Sequence, residues 1–447
     1  MKNLFSIFLL IFFSIFSFSS AKILTTEDPN YYLEKQNNKI FYPFYSEDNI
    51  TYDNIFEIEM PLKYENRISS DFQFPTSWYV ASNIKQNLHR ETVLENNSLI
   101  NFYFKSNYED KFFAQYTGDF QISDTAYYEY GNYSLYNLPI FTYMSLDFPQ
   151  ISYISLREEN FSFIIGRNKI SFGPLKYDLL LSENAPYYDN FSFKYKINNN
   201  FDYSFSWISS IPFMSKEEYS EYFESQDSLS GYRNDFVNNI SYKYNNNNIG
   251  ISMLNHVTEN VPNPFQIFLF SDIGLSSIYY LNESFFDIYF EGVINYDTFS
   301  KGFGTGISKT FDFHIVYLKP SFEYYFTENN LYKAEKVYDD LYYRSFSLSN
   351  TPGARLMFDY PFGLKYGDDS NIFTISLIAF DKKGNGYLDI NYDFGNFDNK
   401  KLNNFKIKSI VNLKYFDFKM TYNNLKIEED QNHIFNFHII LDLKIGI

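Results

Sequence analysis

The chain has 447 residues, with 37 Lys and Arg against 54 Asp and Glu and a formal charge of −17. That balance excludes a general positive field for holding nucleic acid. It has no cysteine, which excludes a disulfide scaffold and a cysteine-linked lipid anchor. The 44 Tyr and 52 Phe, set against 14 Pro and 18 Gly, describe a chain rich in strand formers.

Residues 1–21 read as a secretory signal peptide. Lys2 precedes an apolar run from Leu4 to Phe18, and Ser19 and Ala21 are the small residues a signal peptidase requires. An apolar run of roughly 15 residues is too short for a membrane helix, which needs about 20. Residues 22–97 are less regular and are expected to form a partly helical N-terminal region, periplasmic or plugging. Within it Pro75-Thr76-Ser77 can open a short helix that carries Trp78, Ala81, Ile84 and Leu88 on one face.

From residue 98 to 447 the dominant signal is alternation. Phe112, Ala114, Tyr116, Phe120 and Ile122 open it; Phe191, Phe193, Tyr195 and Ile197 turn through Asn198-Asn199-Asn200 into Phe201, Tyr203, Phe205 and Trp207. Phe286, Ile288, Phe290, Ile294 and Tyr296 form another row. Phe373, Ile375, Leu377 and Ala379 reach Gly384-Asn385-Gly386, which supplies a tight reversal into Leu388, Ile390, Tyr392 and Phe394. Phe405, Ile407, Val411 and Leu413, then Phe416, Phe418, Met420 and Tyr422, lead to a final row from Phe435 to Ile447. The facing positions are polar, as lipid outside and water inside require.

Sandwich strands run about 5 to 6 residues, whereas several of these run longer. The fold predicted is all-β, a transmembrane antiparallel β-barrel of roughly 16–18 strands, built with the help of outer-membrane assembly machinery and surrounded by outer-membrane lipid. Two stretches break the pattern and read as long extracellular loops: Lys216 to Asp227, and Tyr332 to Asn350 with its Asp339-Asp340.

Catalytic signals are sparse. His89, His256, His314, His433 and His438 are the imidazoles, and no His-Glu-x-x-His, Gly-x-Ser-x-Gly or phosphate-cradling glycine loop accompanies them. The expectation is a protein that is not an enzyme and that uses no cofactor and no metal.

Residues 161–189 carry a denser set of special positions: Gly166-Arg167, Phe172-Gly173-Pro174, Leu179-Leu180-Leu181-Ser182, Asn184-Ala185-Pro186 and Asp189. As local structure they read as a strand, a glycine-permitted bulge near Gly166 that turns Arg167 and Lys169 inward, a reversal at Gly173-Pro174, and a second turn at Asn184. The same set resembles the signature of the capsule assembly protein Wzi family, with Phe172 where that family often has Trp. The resemblance implies an outer-membrane barrel that binds or anchors capsular or other surface polysaccharide without catalysis. It makes Gly166, Arg167, Phe172, Gly173, Pro174, Leu181, Ser182, Asn184, Ala185, Pro186 and Asp189 the candidate glycan contacts, with Arg167 suited to uronate carboxylates. Alternation alone fits a porin-like passive channel or a surface adhesin barrel equally.

Overall fold

A computed structural model describes residues 41–42, 55–69, 98–108, 112–122, 144–147 and, with interruptions of which the longest are 211–217 and 219–232, residues 152–446. The expected signal peptide, the expected helix at Trp78–Leu88 and the expected facing of the Phe435–Ile447 row lie outside the described residues and side chains.

The strands alternate because one face meets hydrocarbon and the other the barrel interior, and they are long because a tilted strand must cross the bilayer. In Asp287–Asn295, Ile288 and Phe290 are exposed outward, while Tyr289, Glu291, Val293 and Asn295 are buried inward. Round the described wall the outward row includes Ile165, Trp207, Ile251, Ile278 and Ile375. The inward row includes Ser192, Ser206, Asn239, Ser252, Thr374 and Asp393, cross-linked by bonds such as Ser192 to Ser206 at 2.7 Å. Apolar outside and polar inside is the reverse of a water-soluble sheet and is the arrangement hydrocarbon imposes.

All wall pairings are antiparallel. The final strand, Asp430–Gly446, pairs with Ile55–Ser69, and that strand's other edge pairs with Ser98–Tyr108, so the sheet closes on itself. Among the described residues the closed sheet holds twenty strands, of which Met144–Asp147 and Phe311–Asp312 are short pieces bypassed by direct pairing of their neighbours, leaving a ring of eighteen. The long connections, 169–187, 211–232, 258–272 and 328–369, all leave one end of the ring; at the other end the described strands are joined by short turns.

One expectation is corrected. The barrel does not begin at residue 98: Ile55–Ser69 lies inside the supposed N-terminal region yet is a wall strand paired on both edges. Its Phe56, Ile58, Met60, Leu62 and Tyr64 do alternate, but Pro61, which cannot donate to a ladder, disguises the strand. In the connection that holds Tyr332–Asn350, Leu331, Tyr332 and Leu341 have no exposed surface, and Tyr342–Leu348 pairs with Arg355–Pro361. Lys216–Asp227 lies outside the described residues except for Glu218, which is buried against Arg344.

Candidate functional site

The connection 169–187 leaves the wall strand Phe161–Asn168 and turns into the barrel, where it meets residues from distant strands. It stays there because its apolar side chains have somewhere dry to go. Leu175, Leu179, Leu180, Leu181 and Ala185 pack in one cluster with Tyr332, Phe362 and Leu364 of the other long connection and with Leu254 and Leu275 of the wall.

Three wall carboxylates satisfy the segment's backbone and hydroxyl groups. Glu291 accepts from the Leu179 and Leu180 amides at 2.7 and 3.1 Å, so one carboxylate closes a turn that makes no strand ladder. Glu323 accepts from the Lys176 amide at 3.3 Å and from the hydroxyls of Tyr289 and Tyr325. Asp393 accepts from Tyr177 at 3.0 Å and Tyr366 at 2.5 Å, and from Thr374 at 2.8 Å. Buried carboxylates are tolerated when several donors converge on them, as here.

The two inward connections also lock each other. The Tyr332 hydroxyl donates to the Leu179 carbonyl at 2.9 Å and accepts from the Leu364 amide at 2.8 Å. Ser182 donates its amide to the Phe362 carbonyl at 2.6 Å and its hydroxyl to the Gly363 carbonyl at 2.8 Å, while Asn184 reaches the carbonyls of Pro361 and Gly363. Behind them Arg344 holds Asp359 and Glu218 in paired contacts of 2.6 to 2.8 Å, all three buried. In the same connection burial pushes the Asp340 carboxyl up to about 7 and that of Asp368 up to about 6.

The candidate residues fall into two groups. Phe172 and Leu181 bridge each other, with the Phe172 amide donating to the Leu181 carbonyl at 2.9 Å, and both are fully buried with Ser182 and Ala185. Gly173 has φ +144, and a Cβ there would stand 2.5 Å from Asp178 Oδ1 and 3.1 Å from Glu291 Oε2, so the turn requires glycine. Pro174 follows it at the partly exposed tip, and Pro186 lies outside the described residues. What Phe172, Leu181, Ser182 and Ala185 touch is protein.

Gly166, Arg167 and Asp189 sit apart, on the paired strands Phe161–Asn168 and Tyr188–Lys196. Arg167 grips Asp189 through two bonds of 2.5 and 3.1 Å and lies 4.4 Å over the Tyr187 ring. The expected bulge at Gly166 is absent: both neighbouring registers run through it without a shift. Its glycine is needed for another reason, a φ of +135 with a Cβ position 2.3 Å from the Ser152 carbonyl oxygen. Gly166→Val is therefore expected to cut the yield of refolded barrel in detergent severalfold, while Arg167→Gln leaves it near wild type; heat-modifiable gel migration checks both.

Sequence reasoning missed Glu291, Glu323, Asp393, Tyr332 and Arg344. The three acids do occupy the inward phase of their strands, but an acid there looks the same whether it faces water or a folded segment.

These features define an outer-membrane β-barrel whose lumen is crossed by two of its own connections. No protein-family model and no curated protein sequence matches the chain. Among solved structures it is similar to Wzi of Escherichia coli, a carbohydrate-binding β-barrel involved in group 1 capsule assembly, with 10% identity, TM-score 0.55, and coverage of 88% of this chain and 85% of that one. It is more weakly similar to OccAB4 of Acinetobacter baumannii, with 11% identity, TM-score 0.46 and coverage of 88% and 99%. OccK3 of Pseudomonas aeruginosa gives 8% identity, TM-score 0.46 and coverage of 88% and 96%. At such identities the likeness establishes the barrel fold alone.

Proposed function

We propose that the protein holds polysaccharide at the outer surface of the cell, as a closed barrel and not an open pore. The observation that carries this reading is the inward fold of 169–187, the stretch that resembles the Wzi signature, pinned to three wall carboxylates and to the second connection. The similarity to a carbohydrate-binding barrel supports it. The long connections belong at the extracellular end, since outer-membrane barrels carry short turns on the periplasmic side. Export by the signal peptide, cleavage after Ala21 and insertion by assembly machinery are part of the same proposal.

A passive channel is the second reading, favoured by partly exposed polar side chains such as Lys176 and Asp389 on the short-turn side of the crossing segment. Two measurements separate them. Deleting the gene should release surface polysaccharide into the medium, and the purified protein should give no large steady conductance in a planar bilayer. Unchanged retention together with steady conductance would replace the first reading with the second.

A further inference from the structure

The connection 328–369 carries two carboxylates into a dry place, and both hold the same short stretch of it. Asp368 accepts from the Tyr332 amide at 2.7 Å, and Asp340 accepts from the Ala334 amide at 2.9 Å. Leu331, Tyr332 and Leu341 have no exposed surface, and Tyr342 is buried with them. The stretch matters because the Tyr332 hydroxyl ties the Leu179 carbonyl of the crossing segment to the Leu364 amide. What loosens Tyr332 therefore loosens the contact between the two inward connections.

The charge balance around this pair is poor. The charged and titratable groups that face it are Arg233 of the wall and Lys333, Asp369, Tyr332 and Tyr342 of the connection itself. The Arg233 guanidinium donates to the Asp340 main-chain carbonyl at 2.8 Å and stands 3.8 Å from Glu218, so it belongs to neither carboxylate. Lys333 is exposed to water. Asp368 is 7% exposed, and its Oδ2 is buried with no donor. Asp340 and Asp368 also repel each other when both are ionised. An ionised carboxylate in such a setting opposes its own burial.

We infer that these two carboxylates make the connection 328–369 a pH-sensitive catch, which grips the crossing segment in mildly acidic medium and slackens as the medium turns alkaline. Released into water, both carboxyls titrate at about 3.9. In place, burial, and for Asp340 also the charge of Asp368, holds them at about 7 and about 6. Between those limits the docked connection binds more protons than the released one. Its grip is therefore strongest below about pH 4, weakens as pH rises, and levels off above about pH 7.

Amide hydrogen exchange of the full mature protein in detergent, from about pH 5.5 to about pH 8.5 and with each rate divided by the intrinsic rate at that pH, tests the catch. Protection of the Tyr332 and Ala334 amides should fall by at least about tenfold across that range. Amides of the wall strand Asp287–Asn295 should keep theirs. Asp340→Asn/Asp368→Asn retains an acceptor oxygen at both positions and removes both charges, so its protection should stay high and flat with pH. A purely structural part for the two acids predicts instead lower protection at every pH with the slope unchanged. Wild-type protection that is constant across the range, or a fall of the same size in the folded double variant, overturns the catch. Heat-modifiable migration shows whether the variant is a folded barrel, and where it is not, the wild-type profile alone decides.

Discussion

Glu291→Ala should release the crossing segment from the wall without dismantling the barrel. The carboxylate accepts two amides that have no other strand or helix to pair with, and both lie in a stretch with no exposed surface. Removing it leaves two buried donors unmet, at about 1–3 kcal/mol each. The wall loses little, because Glu291 points inward and the ladder through Asp287–Asn295 is built from backbone. Amide hydrogen exchange at Leu179 and Leu180 should accelerate by about thirtyfold or more, the equivalent of roughly 2 kcal/mol. Intermittent conductance should appear in planar bilayers, where the wild type is expected to show none. Glu291→Gln, which keeps one acceptor oxygen, should fall between the two. Exchange at those amides equal to wild type in Glu291→Ala would show that apolar packing alone retains the segment.

Arg344→Ala should be the most damaging single change in the second connection. Arg344 is fully buried and its guanidinium divides between Asp359 and Glu218. Removing one member of a buried ionic set costs about 3–5 kcal/mol, because the charges left behind have no water. Arg233 stands 3.8 Å from Glu218 and can answer part of one charge, and Asp359 keeps none of the two bonds it had from Arg344. The hairpin Tyr342–Leu348 with Arg355–Pro361 should become cleavable by added protease in intact outer membranes, whereas wild type resists. Combining Arg344→Met with Asp359→Asn and Glu218→Gln should recover most of the resistance, since the orphaned charges are then gone. Failure of that recovery would mean the arginine acts through its shape and not its charge.

The wall was largely legible in the amino-acid sequence, because one physical rule acts on every residue of it: alternate side chains see hydrocarbon and water. Phe373 to Ala379 and Leu388 to Phe394 show this plainly, and the structure pairs the two strands antiparallel in register. Ile55–Ser69 was hidden by one proline. The interior was less legible, for a reason of distance. The special residues of 161–189 announce that something unusual happens there, but Leu179 meets Glu291 across 112 positions and Tyr177 meets Asp393 across 216. Neither acid carries a local mark of its partner. Tyr332–Asn350 reads as a loop because it breaks the alternation, and nothing local shows that its tyrosines and Leu341 go to the core. At Gly166 the sequence named the right residue and the wrong geometry: a close backbone approach to Ser152 requires glycine, with no extra residue in the strand.

Phe41–Tyr42 pairs with Ser171–Phe172 inside the lumen, although it precedes the first wall strand. That short pairing ties residues 41–42 to the crossing segment, so a change that frees 169–187 from the wall also loosens the anchor of the chain that leads into Ile55–Ser69.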